Sequence, residues 1–255
     1  MRLEYKYLVP NESLPRLRAM IAPFVEPDVN GAAYGDQGYT VRSIYFDTCG
    51  LDFYHQKLAG LKVRKKLRLR GYNGGRESSV VFLEIKRKNV TSIKKNRAPV
   101  EYAHVHDLFG TGDVARYVAA HPDFPRASED ARRFFFYVYR NSLRPIVLVV
   151  YEREAYHSKF APSLRITFDK HLRSSIYPGL DGLFKEEEMR YAMPRHFILE
   201  VKFSGLFPGW LRWAIGTLGL RQQALSKYVI SIDRHAVLGG NAKRPALAFA
   251  RPCHL

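Results

Sequence analysis

The stretch Leu61-Lys62-Val63-Arg64-Lys65-Lys66-Leu67-Arg68-Leu69-Arg70-Gly71-Tyr72 decides how this chain is read. Lys62, Arg64, Lys66, Arg68 and Arg70 share one parity, while Leu61, Val63, Leu67 and Leu69 take the other. A period of two is the signature of a strand with one apolar and one polar face. At ~3.3 Å of rise per residue, the five cations lie along roughly 26 Å. A solvated face accounts for one such strand. Like charges at this density repel, and more so in an enclosed space. Rows of this kind are tolerable where the usual occupant is a polyanion. Arginine offers planar bidentate donation to phosphate oxygens, and lysine a mobile point charge.

The pattern recurs. In Ser79–Lys88, Val81, Leu83 and Ile85 oppose Glu84, Lys86 and Lys88. In Ser163–His171, Leu164, Ile166 and Phe168 oppose Arg165, Thr167 and Asp169. In Phe197–Phe203, Phe197, Leu199, Val201 and Phe203 oppose Ile198, Glu200 and Lys202. Residues 2–9 read as a strand carrying Glu4 and Lys6. Tyr39–Asp47 and the more apolar Pro145–Tyr156 read as strands too. Helices are expected over Asn11–Val25, with Asn11 or Ser13 as cap and Pro15 in the first turn. Others are expected within 103–120, 128–141, 207–218 and 222–237. Residues 26–38 read as a loop, and Gly74-Gly75 as a hairpin turn.

Strands without a regular βαβ rhythm favour an antiparallel sheet. The expected class is α+β. One wide sheet with helices on its apolar face fits the pattern. The sharper expectation is a closed antiparallel β-barrel of about eight strands, its charged face inward and helices outside.

The chain has 255 residues, with 41 Lys and Arg against 24 Asp and Glu, a net charge of +17. An excess of that size points to nucleic acid, polyphosphate, nucleotide or an anionic membrane surface. The 46 % hydrophobic content excludes wholesale disorder. Two cysteines, Cys49 and Cys253, exclude a disulfide scaffold and a Cys-based zinc site, and suit a reducing compartment. No apolar run reaches the ~18 residues that span a bilayer. The start, Met1-Arg2-Leu3-Glu4-Tyr5-Lys6, does not read as a signal peptide. A cytoplasmic protein is expected. No phosphate-loop or dinucleotide-binding fingerprint occurs, and no H-E-x-x-H. His104 and His106 read as the start of a surface helix. Aromatic residues are 13 %, but most fall on apolar faces, so core packing is expected rather than nucleic-acid stacking.

Glu4, Glu84 and Glu200 each stand two residues before a lysine, Lys6, Lys86 and Lys202. Each pairs with neighbouring cations or, beside a phosphate site, holds Mg²⁺ or Mn²⁺.

These residues resemble the VTC (vacuolar transporter chaperone) domain, the polyphosphate polymerase branch of the triphosphate tunnel metalloenzymes. The matching pieces run in order: Arg2-Leu3-Glu4-Tyr5-Lys6-Tyr7, Val41-Arg42-Ser43-Ile44-Tyr45-Phe46-Asp47, Leu67-Arg68-Leu69-Arg70-Gly71-Tyr72 and Phe82-Leu83-Glu84-Ile85-Lys86. Tyr151-Glu152-Arg153-Glu154-Ala155-Tyr156, Leu164-Arg165-Ile166-Thr167-Phe168-Asp169, Leu199-Glu200-Val201-Lys202 and Ser226-Lys227-Tyr228 follow. The resemblance covers 1–238, the expected tunnel domain. It leaves 239–255 as a tail expected to be poorly ordered.

The resemblance implies a closed tunnel. It implies that Lys6, Arg42, Arg68, Arg70, Lys86, Arg153 and Arg165 bind the nucleotide triphosphate and the growing chain. Glu200 would hold the metal, with Glu4 and Glu84 as further candidates. Ser226 and Lys227 would bind phosphate or product near a mouth. Lys62, Arg64, Lys66, Lys88 and Lys202 join the phosphate-binding set through the alternation. Hydrolytic members of the superfamily open with E-x-E-x-K, whereas Arg2 stands here at the first acidic position. That loss weakens activation of water more than transfer to an already anionic phosphate. The expected activity is therefore transfer of the γ-phosphoryl group of ATP to phosphate or polyphosphate. A triphosphatase or polyphosphatase, and a non-enzymatic polyanion binder, are the alternatives. Eukaryotic relatives work with membrane-embedded segments, so a membrane-protein partner at the inner face of a membrane is a further expectation. Nucleic acid is not an expected partner.

Overall fold

The computed structural model describes residues 2–28, 38–90 and 92–236. The tail expected over 239–255 lies outside the described residues, as does most of the 26–38 loop. That loop's beginning forms a short strand instead.

Ten strands are described: β1 (Arg2–Pro10), β2 (Val25–Pro27), β3 (Tyr39–Asp47), β4 (Val63–Tyr72), β5 (Val80–Asn89), β6 (Ser92–Glu101), β7 (Arg144–Ser158), β8 (Arg165–Ile176), β9 (Arg190–Tyr191) and β10 (His196–Ser204). The helices among them are α1 (Leu14–Ile21), α2 (Asp52–Leu58), α3 (Val105–Thr111), α4 (Val114–Tyr117), α5 (Ala127–Arg140), α6 (Gly209–Thr217) and α7 (Lys227–Ala236). The helix expected over Asn11–Val25 is α1 with a 3₁₀ turn at each end. Neither expected cap acts as one. Ser13 makes no capping bond, and Asn11 Nδ2 donates to Pro194 O at 3.0 Å.

One antiparallel sheet runs β1-β10-β8-β7-β3-β4-β5-β6, with β2 on β7 and β9 on β8. Lys6 pairs with Glu200, Tyr45 with Arg68, and Arg68 with Glu84, so the charged parities of β1, β10, β4 and β5 fall on one common face with Tyr45 of β3. The other face is apolar. Leu67, Leu69, Leu83 and Ile85 join Val105, Leu108, Phe134 and Phe135 of α3 and α5 in one core. Ile166, Phe168, Leu199 and Val201 meet Leu17 and Ile21 of α1 and Leu211 of α6 in another. A one-residue slip of β4, β5, β8 or β10 would put cations into these cores, which fixes their register.

The expected closed barrel is not formed. The path of pairing ends at β1 and β6, and no ladder joins them among the described residues. The sequence of β6 supplies the reason. Pro99 carries no N–H, and the edge N–H of Arg97 donates at 3.0 Å to Asp130 of α5. The other oxygen of Asp130 accepts from Asn96 Nδ2 at 2.6 Å. Helix α5 thus covers the edge that closure would need. The sheet curls nonetheless, and Lys86 Nζ of β5 comes within 3.9 Å of Glu4 Oε2 of β1.

Helix α7 lies against the concave face. Tyr228, Val229 and Ile232 pack on Tyr45, Val147 and Val149. Tyr228 Oη donates to Asp47 Oδ2 at 2.5 Å, and Asp47 also accepts the N–H groups of Thr48, Phe53 and Tyr54. This buried carboxylate ties α2 and α7 to the end of β3. No helix among the described residues is long and apolar enough to cross a membrane.

Candidate functional site: a cationic cavity

The concave face encloses a cavity of about 1200 Å³ lined by all eight strands of the main path and by the segment 222–227. Fifteen cationic side chains and three carboxylates line it among the described residues. Of the residues expected from sequence, it brings together Lys6, Arg64, Lys66, Arg68, Arg70, Lys86, Lys88, Arg153, Arg165, Lys202, Ser226, Lys227, Glu4, Glu84 and Glu200.

Two expected residues stand apart. Arg42 has the opposite parity on β3. Its Nε donates to Asn73 O at 2.8 Å and its Nη2 to Glu186 Oε1 at 2.6 Å, so it serves the helix-covered face. Lys62 precedes β4, is exposed and does not line the cavity. The alternation that begins at Leu61 becomes a paired strand only from Val63.

The carboxylates divide into groups. Glu84 receives Arg68 Nη2 at 2.5 Å and Arg97 Nε at 3.1 Å, with Arg70 Nε at 3.8 Å. Burial raises its pKa, but these three guanidinium groups outweigh burial and bring it down to about 2. Glu4 and Glu200 share Lys6, whose Nζ lies 2.7 Å from Glu4 Oε1 and 3.5 Å from Glu200 Oε2. Lys202 also pairs with Glu200. Burial opposes ionisation of Glu200, yet Lys202, Lys6, Lys227 and Arg153 hold it well below the usual carboxylate range. Burial likewise acts against the charge of Lys6, and Glu200 with Glu4 reverses that and raises it.

A fourth carboxylate, Asp169, organises the neighbouring cations. It is fully buried and accepts both Arg153 Nε (2.6 Å) and Arg153 Nη2 (2.8 Å), with Lys227 Nζ at 2.5 Å. Arg165 Nη2 is held at 2.8 Å by Asp28.

Lys66 differs from these, because no carboxylate faces it among the described ion pairs. Its Nζ donates to Ser226 Oγ at 2.8 Å. Burial, with Lys6, Lys86 and Arg68 nearby, pulls it down to about 7 against the opposing pull of Tyr45. Tyr45 Oη accepts from Arg68 Nη1 at 3.0 Å. Burial raises that phenol, but Arg68, Arg70 and Lys66 reverse the shift and bring it to about 7.

Several lining residues escaped the sequence reading. Lys95 and Arg97 lie on β6, which was not recognised as a strand. Tyr39, Tyr45, Tyr72 and Tyr151 sit on the cavity-facing parity of β3, β4 and β7, and on β4 and β7 the cations of that parity were the signal available.

The family model for the VTC domain matches residues 1–235, and the chain belongs to that family. No curated protein matches it. Among solved structures, PH1819 from Pyrococcus horikoshii OT3 is similar over 91 % of this chain and 99 % of its own, at 14 % identity and a TM-score of 0.43. HpAC1 from Hippeastrum, a proposed adenylyl cyclase for which a dominant triphosphatase activity is described, is similar over 91 % of this chain and 96 % of its own. The identity is 14 % and the TM-score 0.49. A proposed adenylate cyclase from Vibrio parahaemolyticus is similar over 90 % and 96 %, at 12 % identity and a TM-score of 0.42.

Proposed function

We propose that this chain is a divalent-metal-dependent polyphosphate polymerase that uses ATP. The observation that carries the reading is the excess of fifteen cations over three carboxylates in one cavity of the curled sheet, among the described residues. Such an excess stabilises a substrate of high negative charge and penalises an empty or neutral site. Membership of the VTC domain family supports the same substrate class.

In the proposed reaction, an oxygen of inorganic phosphate or of a polyphosphate end attacks the γ-phosphorus of ATP. The bond from that phosphorus to the β-bridging oxygen breaks, and ADP leaves. Little covalent chemistry is asked of the protein, so positioning and charge stabilisation dominate. Arg68 and Arg70 offer guanidinium donors, and Lys6 and Lys86 supply charge from the facing strands. Lys66 and Ser226 form a phosphate position free of competing carboxylates. The curled walls restrict water around the transferring group.

The oxygen donors present fit a hard cation. Among the described residues no cluster of three or more His, Cys, Asp and Glu could make a protein cage. Glu4 and Glu200 converge on one ammonium group, which suits an ion held by two carboxylates and otherwise by water and phosphate oxygens. Glu200 and Glu4 would hold Mg²⁺ or Mn²⁺, which supplies Lewis-acid polarisation of phosphate oxygens.

The test is incubation of pure protein with ATP and Mn²⁺ or Mg²⁺, followed by separation of long-chain polyphosphate from free phosphate. Long chains with matching ADP are expected. Free phosphate alone would replace the reading by a triphosphatase or polyphosphatase. ATP binding without turnover would leave a polyanion-binding module.

A further inference from the structure

The cavity wall changes character along its length. Lysines dominate at the Lys86–Lys88 end and guanidinium groups in the middle. Beyond Arg70, the same face turns aromatic at Tyr72 and Phe82. Burial separates these two rings from the other lining aromatics. Tyr39, Tyr45 and Tyr151 are only 8 %, 6 % and 2 % exposed, whereas Tyr72 and Phe82 keep part of their surface open to the cavity. Tyr151 already carries Lys227 Nζ at 4.7 Å and Arg153 at 5.3 Å from its ring centre. Tyr45 packs against Tyr228.

The aromatic end has a polar handle. The Arg97 guanidinium lies 3.5 Å from the centre of the Phe82 ring, and its Nη2 donates to Tyr72 Oη at 3.1 Å. The tyrosine, the phenylalanine and the guanidinium are therefore held as one unit, with the Arg97 side chain still 34 % exposed. Arginine planes and aromatic faces are the surfaces on which nucleobases stack.

The order along the strand matters as much as the chemistry. On β4, Tyr72 stands two residues past Arg70 and four past Arg68, about 7 and 13 Å away. Phe82 is paired directly with Arg70, and Arg97 with Glu84. A flat, stackable surface thus adjoins the row that would grip phosphates. A linear polyphosphate gains nothing from such a surface. A nucleoside triphosphate carries a flat base at one end and its charge at the other.

We propose that Tyr72, Phe82 and Arg97 form a nucleobase subsite, which fixes the direction in which a nucleoside triphosphate lies in the cavity. The base stacks at this end, and the phosphates run past Arg70 and Arg68 towards Lys86 and Lys6. The proposal rests on the phosphate-cavity reading above and adds the donor's orientation. Stacking accepts any base, so ATP and GTP bind alike.

The test compares ATP with inorganic tripolyphosphate by isothermal titration on wild type, Tyr72→Leu and Phe82→Leu, with circular dichroism confirming each fold. Loss of stacking weakens ATP roughly five- to a hundredfold and leaves tripolyphosphate unchanged. In Tyr72→Trp, indole fluorescence responds to ATP and GTP and not to tripolyphosphate. Equal weakening of both ligands, or undiminished ATP affinity in both leucine variants, overturns the base subsite and spares the phosphate cavity. Failure of both ligands to bind wild type overturns the phosphate cavity and the subsite with it.

Discussion

Glu84→Gln isolates the carboxylate that neutralises the guanidinium row. The substitution keeps volume and one acceptor oxygen, and it removes the charge that faces Arg68, Arg70 and Arg97. The Glu84 side chain is 15 % exposed, so solvent screens the cluster only partly. Its pKa falls from the ordinary 4.5 to about 2, which corresponds to about 3 kcal/mol of stability. A depressed carboxylate contributes fully above its unfolded pKa and loses that contribution as pH falls through the folded one. Wild type should therefore exceed Glu84→Gln by about 3 kcal/mol at neutral pH. The gap should close between pH 4.5 and 2. Urea unfolding followed by circular dichroism, repeated across that range, measures it. Added tripolyphosphate should narrow the gap at neutral pH, because ligand anions take up the freed guanidinium groups and bind the variant more tightly. A gap that is absent at neutral pH, or that persists unchanged down to pH 2, would refute the assignment of Glu84 as the neutralising partner.

The remaining predictions concern titration and turnover. One tyrosine should ionise at about pH 7 in the ultraviolet tyrosinate band, and Tyr45→Phe should abolish that step and no other. Glu200→Gln should preserve the fold but raise the Mn²⁺ or Mg²⁺ concentration needed for turnover, because an amide is a poorer ligand for a hard cation. An unchanged metal requirement would leave Glu200 as the partner of Lys6 and Lys202 alone. Arg70→Lys and Arg165→Lys keep the charge and lose the planar fork. If these side chains orient the transferring group, single-turnover rates should fall ~10²–10³-fold, with ATP affinity much less affected. Equal rates in both variants would reduce them to electrostatic contacts.

Much of this architecture was legible because a strand's period of two writes its two environments into alternate letters. Arg64, Lys66, Arg68 and Arg70 fall on the cavity side for the same reason that Leu67 and Leu69 fall in the core. Strand β6 was not legible. Lys94 and Lys95 are adjacent, Pro99 interrupts it, and the preceding Asn89-Val90 is no recognised hairpin signal. Arg97 was lost with it. Arg42 shows the converse error: a cation inside a family-like motif, but on the parity that faces Asn73 and Glu186. The open seam was unreadable because it depends on Asp130, a helix residue distant in sequence that occupies the edge of β6. Asp169 was visible as part of an alternating strand. Its hold on both Arg153 and Lys227 needs three elements brought together in space.

The gap between β1 and β6 bears on how the long chain of the proposed reaction would get in. A sealed pipe accepts a linear polymer only by threading one of its ends. Here the wall at that point is made by side chains such as the Glu4–Lys86 pair, and parting them breaks no backbone ladder among the described residues. If the substrate is a linear polyphosphate, as proposed above, an interior stretch of it should enter sideways, without a terminus having to be found. A cyclic metaphosphate, which has no terminus at all, should compete with a linear polyphosphate for the cavity, and its failure to do so would mean that loading is by threading.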